Sequence, residues 1–119
     1  MTKVLLDTSF ILAAVRKNID FIEELEFRGY EILIPKQVFA ELDGLTKSTD
    51  EAHTALRILQ NYEGKFDDVD LKNYDVDQGI INFAQKNKDV IIATMDSNLK
   101  GKIRNRKLVI RGEKRLEVV

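Results

Sequence analysis

A chain of 119 residues with 44% apolar and 33% charged side chains is long enough for one buried core and too short for two. It has no Cys and a single His, His53, which excludes disulfides, thiolate metal sites and zinc chemistry built on imidazole. The net charge of −1 divides into +6 over residues 97–119 and −7 over residues 1–96, a basic end on an acidic body. That asymmetry suits a polyanion partner and equally a solvated helix face. No apolar stretch is long enough to span a bilayer and the N-terminus lacks a signal-peptide pattern, so a cytoplasmic protein without membrane contact is expected.

In chain order, Val4-Leu5-Leu6 reads as a short buried strand and Phe10 to Val15 as the start of a packed helix, with Asp7 between them. A carboxylate in that place is either a capping corner, alongside Thr8 or Ser9, or a ligand-binding group at the carboxyl end of a strand. Ile19, Ile22 and Leu25 recur at helical spacing and stop at Arg28-Gly29, where glycine is the usual terminator. Glu31–Ile34 is the next strand, and Pro35 opens a helix with Val38, Phe39 and Leu42 on one face. A helix over Asp50–Tyr62 ends at Gly64, a weak strand lies near Phe66–Val69, and a helix follows over Asp77–Lys86. Val90–Thr94 and Leu108–Ile110 are further strands, with a weaker one at Leu116–Val119. Alternating strands and helices with wholly apolar strand centres predict an α/β fold: three layers, α/β/α, with a mostly parallel sheet of about five strands.

Asp96 follows a buried strand as Asp7 does, and Glu41 and Asp77 lie on helices that begin near the same sheet edge. Four carboxylates converging there would repel one another without cations. Such oxygen-rich clusters prefer Mg²⁺ or Mn²⁺, two of which ~4 Å apart would clamp a phosphodiester. Each acid also has an ordinary reading: Glu41 as an exposed helix acid, Asp77 as a first-turn acid beside the helix dipole, Asp96 as a helix cap.

The stretches LLDTSFIL, IPKQVFAELDGL, DVDQGIINFAQ and VIIATMDSNLK, in this order, resemble the four signature segments of PIN-domain nucleases. The resemblance runs from Lys3 to about Val119, so residues 1–119 read as a single PIN-like nuclease domain. It implies Asp7, Glu41, Asp77 and Asp96 as catalytic metal ligands for Mg²⁺ or Mn²⁺, with Ser9 and Thr94 as hydroxyls supporting the cluster or its water. Asp75 rivals Asp77, which is preferred because Ile80 and Ala84 follow it at the family's offsets. Ser9 stands where the family often has Asn, and Met95 where many members have a polar residue. The implied reaction is endonucleolytic hydrolysis of RNA, leaving a 5′-phosphate and a 3′-hydroxyl, with Lys100, Lys102, Arg104 and Arg106 gripping the flanking phosphates.

Two branches of the family compete. The stretch FIEELEFRGYEILIPKQVFAELDGL, the short span from Glu41 to Asp77 and the closing VIRGEKRLEVV lean toward the pre-rRNA-processing endonucleases of archaea and eukaryotes. The other branch is the VapC-type toxin ribonucleases of toxin–antitoxin pairs. The partners implied are RNA (pre-rRNA or another structured RNA), with a homodimer, an antitoxin or a ribosome-assembly protein as further candidates. A domain that only binds RNA or protein is a third reading. A phosphoacceptor receiver would want paired acids in the first loop, and a haloacid-type hydrolase a second Asp where Ser9 stands. His53 reads as a surface or half-buried helix residue, and Tyr30, Tyr62 and Tyr74 as packing residues with wet tips, not as base-stacking platforms.

Overall fold

The computed structural model describes residues 1–119. In chain order it comprises β1 (Lys3–Leu6), α1 (Thr8–Arg16), α2 (Phe21–Phe27), β2 (Glu31–Pro35), α3 (Lys36–Leu45), α4 (Asp50–Asn61) and β3 (Asp67–Val69). There follow α5 (Val76–Lys86), β4 (Ile91–Ala93), α6 (Ser97–Gly101), β5 (Lys107–Arg111) and β6 (Arg115–Val118). The strands form one sheet in the order β3-β2-β1-β4-β5-β6. Neighbours from β3 to β5 are parallel, and β6 returns antiparallel against β5. The sheet therefore has six strands where about five were expected, because both weak candidates pair at its edges.

Period-2 alternation divides the strand side chains between two cores. Val4, Leu6, Ile32, Ile34, Ile91 and Ala93 face the larger one, beneath Phe10, Phe21, Leu42 and Leu59 of α1 to α4. Leu5, Leu33 and Ile92 face the smaller one, covered by Ile80 and Ala84 of α5 and Leu99 of α6. Both faces are covered, which is why the strand centres carry no polar residue and the three layers form. Phe10 and Phe21 meet edge to face at 6.2 Å, fixing α1 against α2.

Pro35 ends β2, pairing with Val69, and is also the residue from which α3 starts. Its fixed φ of −63° is compatible with both, and its missing N–H costs nothing at a helix start. Gly29 terminates the α2 segment with φ +82°, a backbone conformation other residues rarely adopt. Winding reverses at the centre of the sheet: the chain steps from β1 outward to β2 and β3, then crosses back to place β4 on the other side of β1. The carboxyl ends of β1 and β4 thus border the crevice where open parallel sheets bind their ligands.

Candidate active site

Asp7 leaves the end of β1 into that crevice and is also the N-cap of α1, its Oδ1 accepting from Thr8 N at 2.8 Å. The capping corner and the sheet-edge acid are therefore one residue. Asp7 is only 5% exposed and pairs with no cation. Its Oδ2 instead accepts from Thr94 Oγ1 at 2.8 Å and from Ser9 Oγ at 3.0 Å. Those two hydroxyls, 3.1 Å apart, are held in turn by backbone donors, Met95 N to Ser9 and Asp96 N to Thr94. Burial pushes the Asp7 carboxyl above its usual range despite these three hydrogen bonds, and the negative charge of Glu41 acts in the same direction.

Asp96 caps α6, its Oδ1 accepting from Asn98 N at 2.9 Å and Leu99 N at 3.2 Å. Asp75 caps α5 in the same way, accepting from Gln78 N, whereas Asp77 lies in the first turn. Partial burial raises the Asp77 carboxyl first, then the charges of Asp7, Asp96 and Asp75, while Lys102 opposes them. Glu41, on an exposed stretch of α3, accepts a hydrogen bond from the Thr8 hydroxyl. Thr8 escaped the sequence reading, which considered it only as a cap. Its partner lies 33 residues away on another helix, and nothing in the local pattern marks the pair.

The donors around this rim are carboxylate and hydroxyl oxygens, the set that hard divalent ions take. Two of the acids are held above their ordinary range, so positive charge is what the cluster lacks. The carboxylates do not already gather in a group of three around one point. In donor type, though not as a preformed cluster, the rim fits a divalent cation, with Asp7, Glu41, Asp77 and Asp96 as the acids that would hold it.

Of the four basic residues, Lys102 is the one whose charge reaches the acids, through Asp77. Lys102 and Arg104 also line a cavity of about 490 Å³ with Lys88, Ile81 and Ile103. Lys100 is half-buried in the last turn of α6. Arg106 lies ahead of β5, where its carbonyl accepts from Ile92 N, placing it toward the amino end of the sheet and away from the acids. Lys88, absent from the sequence reading, joins the basic set only because α5 packs beside the α6–β5 loop.

Residues 4–112 match the family model described as a PIN like domain. The chain belongs to that family. Among curated proteins it is 31% identical, over an alignment of 131 positions, to "Ribonuclease VapC4" of Methanocaldococcus jannaschii, covering 99% of this chain and 97% of the relative. Among solved structures it matches the PIN domain endonuclease Utp24 with a TM-score of 0.81 and 28% identity, over 98% of this chain and 92% of that one. VapBC2 from Rickettsia felis, bound to a DNA fragment from its promoter, shares the fold with a TM-score of 0.58 and 14% identity, over 92% of this chain and 100% of that one. The PIN-like fold and the four signature segments thus agree in their order along the chain. No helix of this PIN-like domain is long and apolar enough to cross a membrane.

Proposed function

We propose that residues 1–119 act as one Mg²⁺- or Mn²⁺-dependent endoribonuclease domain, with Asp7, Glu41, Asp77 and Asp96 as its metal-binding acids. The observation that carries this reading is a buried carboxylate with no cation partner at the sheet's switch point. Asp7 is buried and its Oδ2 is held by the Thr94 and Ser9 hydroxyls. Asp7 and Asp77, from segments 70 residues apart, are both raised by burial, and Asp77 also by its acidic neighbours. A structural ion pair would have supplied a basic partner, and Asp7 has none.

When bound, a divalent ion supplies charge to phosphate oxygens and acidifies a water for hydrolysis of the phosphodiester. The protein's own groups do the positioning. Thr94 and Ser9 both donate to Asp7 Oδ2 and orient the carboxylate, while Thr8 directs Glu41 toward the same rim. Lys102 offers a phosphate contact beside Asp77, with Arg104 and Lys100 extending the path and Arg106 furthest from the acids.

The substrate reading favoured is pre-rRNA, supported by the likeness to Utp24 across nearly the whole of both chains. A second reading, a toxin ribonuclease controlled by an antitoxin, is supported by the 31% identity to VapC4. The test is cleavage of an end-labelled pre-rRNA fragment with and without Mn²⁺, comparing wild type with Asp96→Asn. Metal-dependent cutting that the variant loses is expected. Cuts at a maturation site favour rRNA processing, and cuts elsewhere in the fragment favour the toxin. Binding without cutting by the wild type would leave an RNA-binding module in place of an enzyme.

A further inference from the structure

Glu41, of the four acids, opens onto a cleft between α3 and the loop joining β3 to α5. It encloses about 720 Å³ and is lined by Lys36, Gln37 and Glu41 on one wall and Lys72, Asn73 and Tyr74 on the other. Glu41 makes it continuous with the proposed metal-binding rim. The loop wall is fixed by hydrogen bonds. Gln37 Nε2 donates to Asp70 Oδ1 at 2.8 Å, and Gln37 Oε1 accepts from Leu71 N at 3.1 Å. Asp70 Oδ1 also accepts from Lys72 N at 2.8 Å, holding Lys72 at φ +53°, a left-handed conformation uncommon outside Gly, Asn and Asp. Backbone strain of this kind persists only where surrounding contacts over-determine it, and it concentrates at ligand-binding loops.

The consequence of this lock is the position of Tyr74. The sequence pattern suggested a packing residue, yet the ring is fully exposed and contributes nothing to either core. Lys36 and Lys72 flank the same cleft, and neither belongs to any ion pair of the chain. Their charges reach Asp70, whose carboxyl is held below its usual range first by the hydrogen bonds from Gln37 and Lys72 N and then by Lys36 and Lys72. Two cations beside an exposed aromatic face stand out in the part of the sequence whose net charge is −7. An aromatic face takes a base only when that base is unstacked, which selects single strand over duplex, and lysines take phosphate without regard to sequence.

We infer that this cleft seats one single-stranded nucleotide of the RNA adjoining the cut, with Tyr74 stacking on its base and Lys36 and Lys72 holding its phosphates. The inference rests on the endoribonuclease reading for the position of the cut, but binding can be measured without it.

The experiment is fluorescence anisotropy of a labelled single-stranded RNA octamer and of a duplex hairpin, in EDTA at low salt. Tyr74→Ala is expected to weaken single-strand binding ~10-fold and leave hairpin binding unchanged, while Tyr74→Phe binds like wild type. Lys36→Ala and Lys72→Ala are each expected to reduce the salt slope of binding by ~0.7. All three side chains are exposed, so melting temperatures should stay constant across the set. Single-strand binding indifferent to Tyr74→Ala, or Tyr74→Phe as weak as Tyr74→Ala, overturns the inference. Cleavage of the pre-rRNA fragment by the same preparations separates the two readings. A wild type that never cuts but needs Tyr74 to bind removes the nuclease reading alone. One that cuts and binds without Tyr74 removes the nucleotide seat alone.

Discussion

Thr94 and Asp7 are joined across the central strands: the Thr94 hydroxyl donates to Asp7 Oδ2 at 2.8 Å while accepting from Asp96 N at 3.1 Å. One hydroxyl therefore links two of the proposed metal-binding acids, and it is wholly buried. Thr94→Val keeps the shape of the side chain but leaves a buried carboxylate short of a donor. A hydrogen bond to a charged group is worth roughly 1.5–3 kcal/mol, so a loss of about 2 kcal/mol is expected in urea unfolding at pH 7.5. Thr94→Ser should recover most of it, since the hydroxyl is what matters.

Asp7 also sets a dependence on pH and metal. Its carboxyl is raised above the model-peptide value of 3.8, chiefly by burial. A raised acid contributes stability that is fully present below the unfolded pKa and is lost as pH rises through the folded one. The metal-free protein is thus expected to lose stability between the acid range and neutrality through this group. Asp7→Asn removes the charge, so the metal-free variant should melt above metal-free wild type at pH 7.5, with the gap closing toward pH 4. Mg²⁺ or Mn²⁺ at ~100 times its Kd should add about 2.7 kcal/mol to the wild type and far less to the variant. Calorimetric melts at the two pH values, with and without ion, check both parts. An unchanged wild-type melting temperature in millimolar metal would count against the cluster.

Thr8 is a positioning residue for Glu41, to which its hydroxyl donates. Groups that orient metal-binding side chains typically change metal affinity or activity 10–100-fold when removed. Thr8→Val is therefore expected to weaken Mn²⁺ binding by about 10-fold in titration calorimetry, with Thr8→Ser close to wild type. A purely structural role would lower stability in both variants and leave ion affinity untouched.

What the sequence revealed of this molecule follows from the range of the interactions involved. Val4-Leu5-Leu6 and Val90-Ile91-Ile92 were legible as central strands because burial on both faces removes every polar residue from them. β3 gave a weak signal since an edge strand reading Asp67-Asp68-Val69 has little to bury. Asp7 and Asp96 were legible as sheet-edge acids, because Asp7 directly follows β1 and Asp96 lies three residues past the end of β4. The Thr8–Glu41 hydrogen bond was not, because it joins two helices and leaves no periodic trace. Tyr74 misled for a related reason: its exposure depends on Gln37 holding Asp70 and Leu71 from another helix. Arg106 follows closely after the Thr94-Met95-Asp96 turn in sequence, yet the register of β5 against β4 carries it toward the other end of the sheet.

Gly79 tests the same loop from behind. It is buried in α5, where a Cβ would stand 2.9 Å from Leu71 Cβ and 3.3 Å from Asn73 Cβ. Leu71 Cδ1, at 3.2 Å, can turn aside, but the two Cβ atoms move only with their backbone, so the loop carrying Lys72 and Tyr74 must shift to admit a methyl group. Ala is favoured over Gly in a helix interior by ~1 kcal/mol, while overpacking typically costs 1–3 kcal/mol. Gly79→Ala is therefore expected to lower stability by about 1 kcal/mol net in urea unfolding and to weaken single-strand RNA binding through displacement of Tyr74. Gly101→Ala, at the end of α6 with open space around it, is the matched control and should do neither. If Gly79→Ala proves stabilising, the helix preference has prevailed and the loop yields easily. The rigid wall that presents Tyr74 to the cleft would then be refuted by a change in α5 alone.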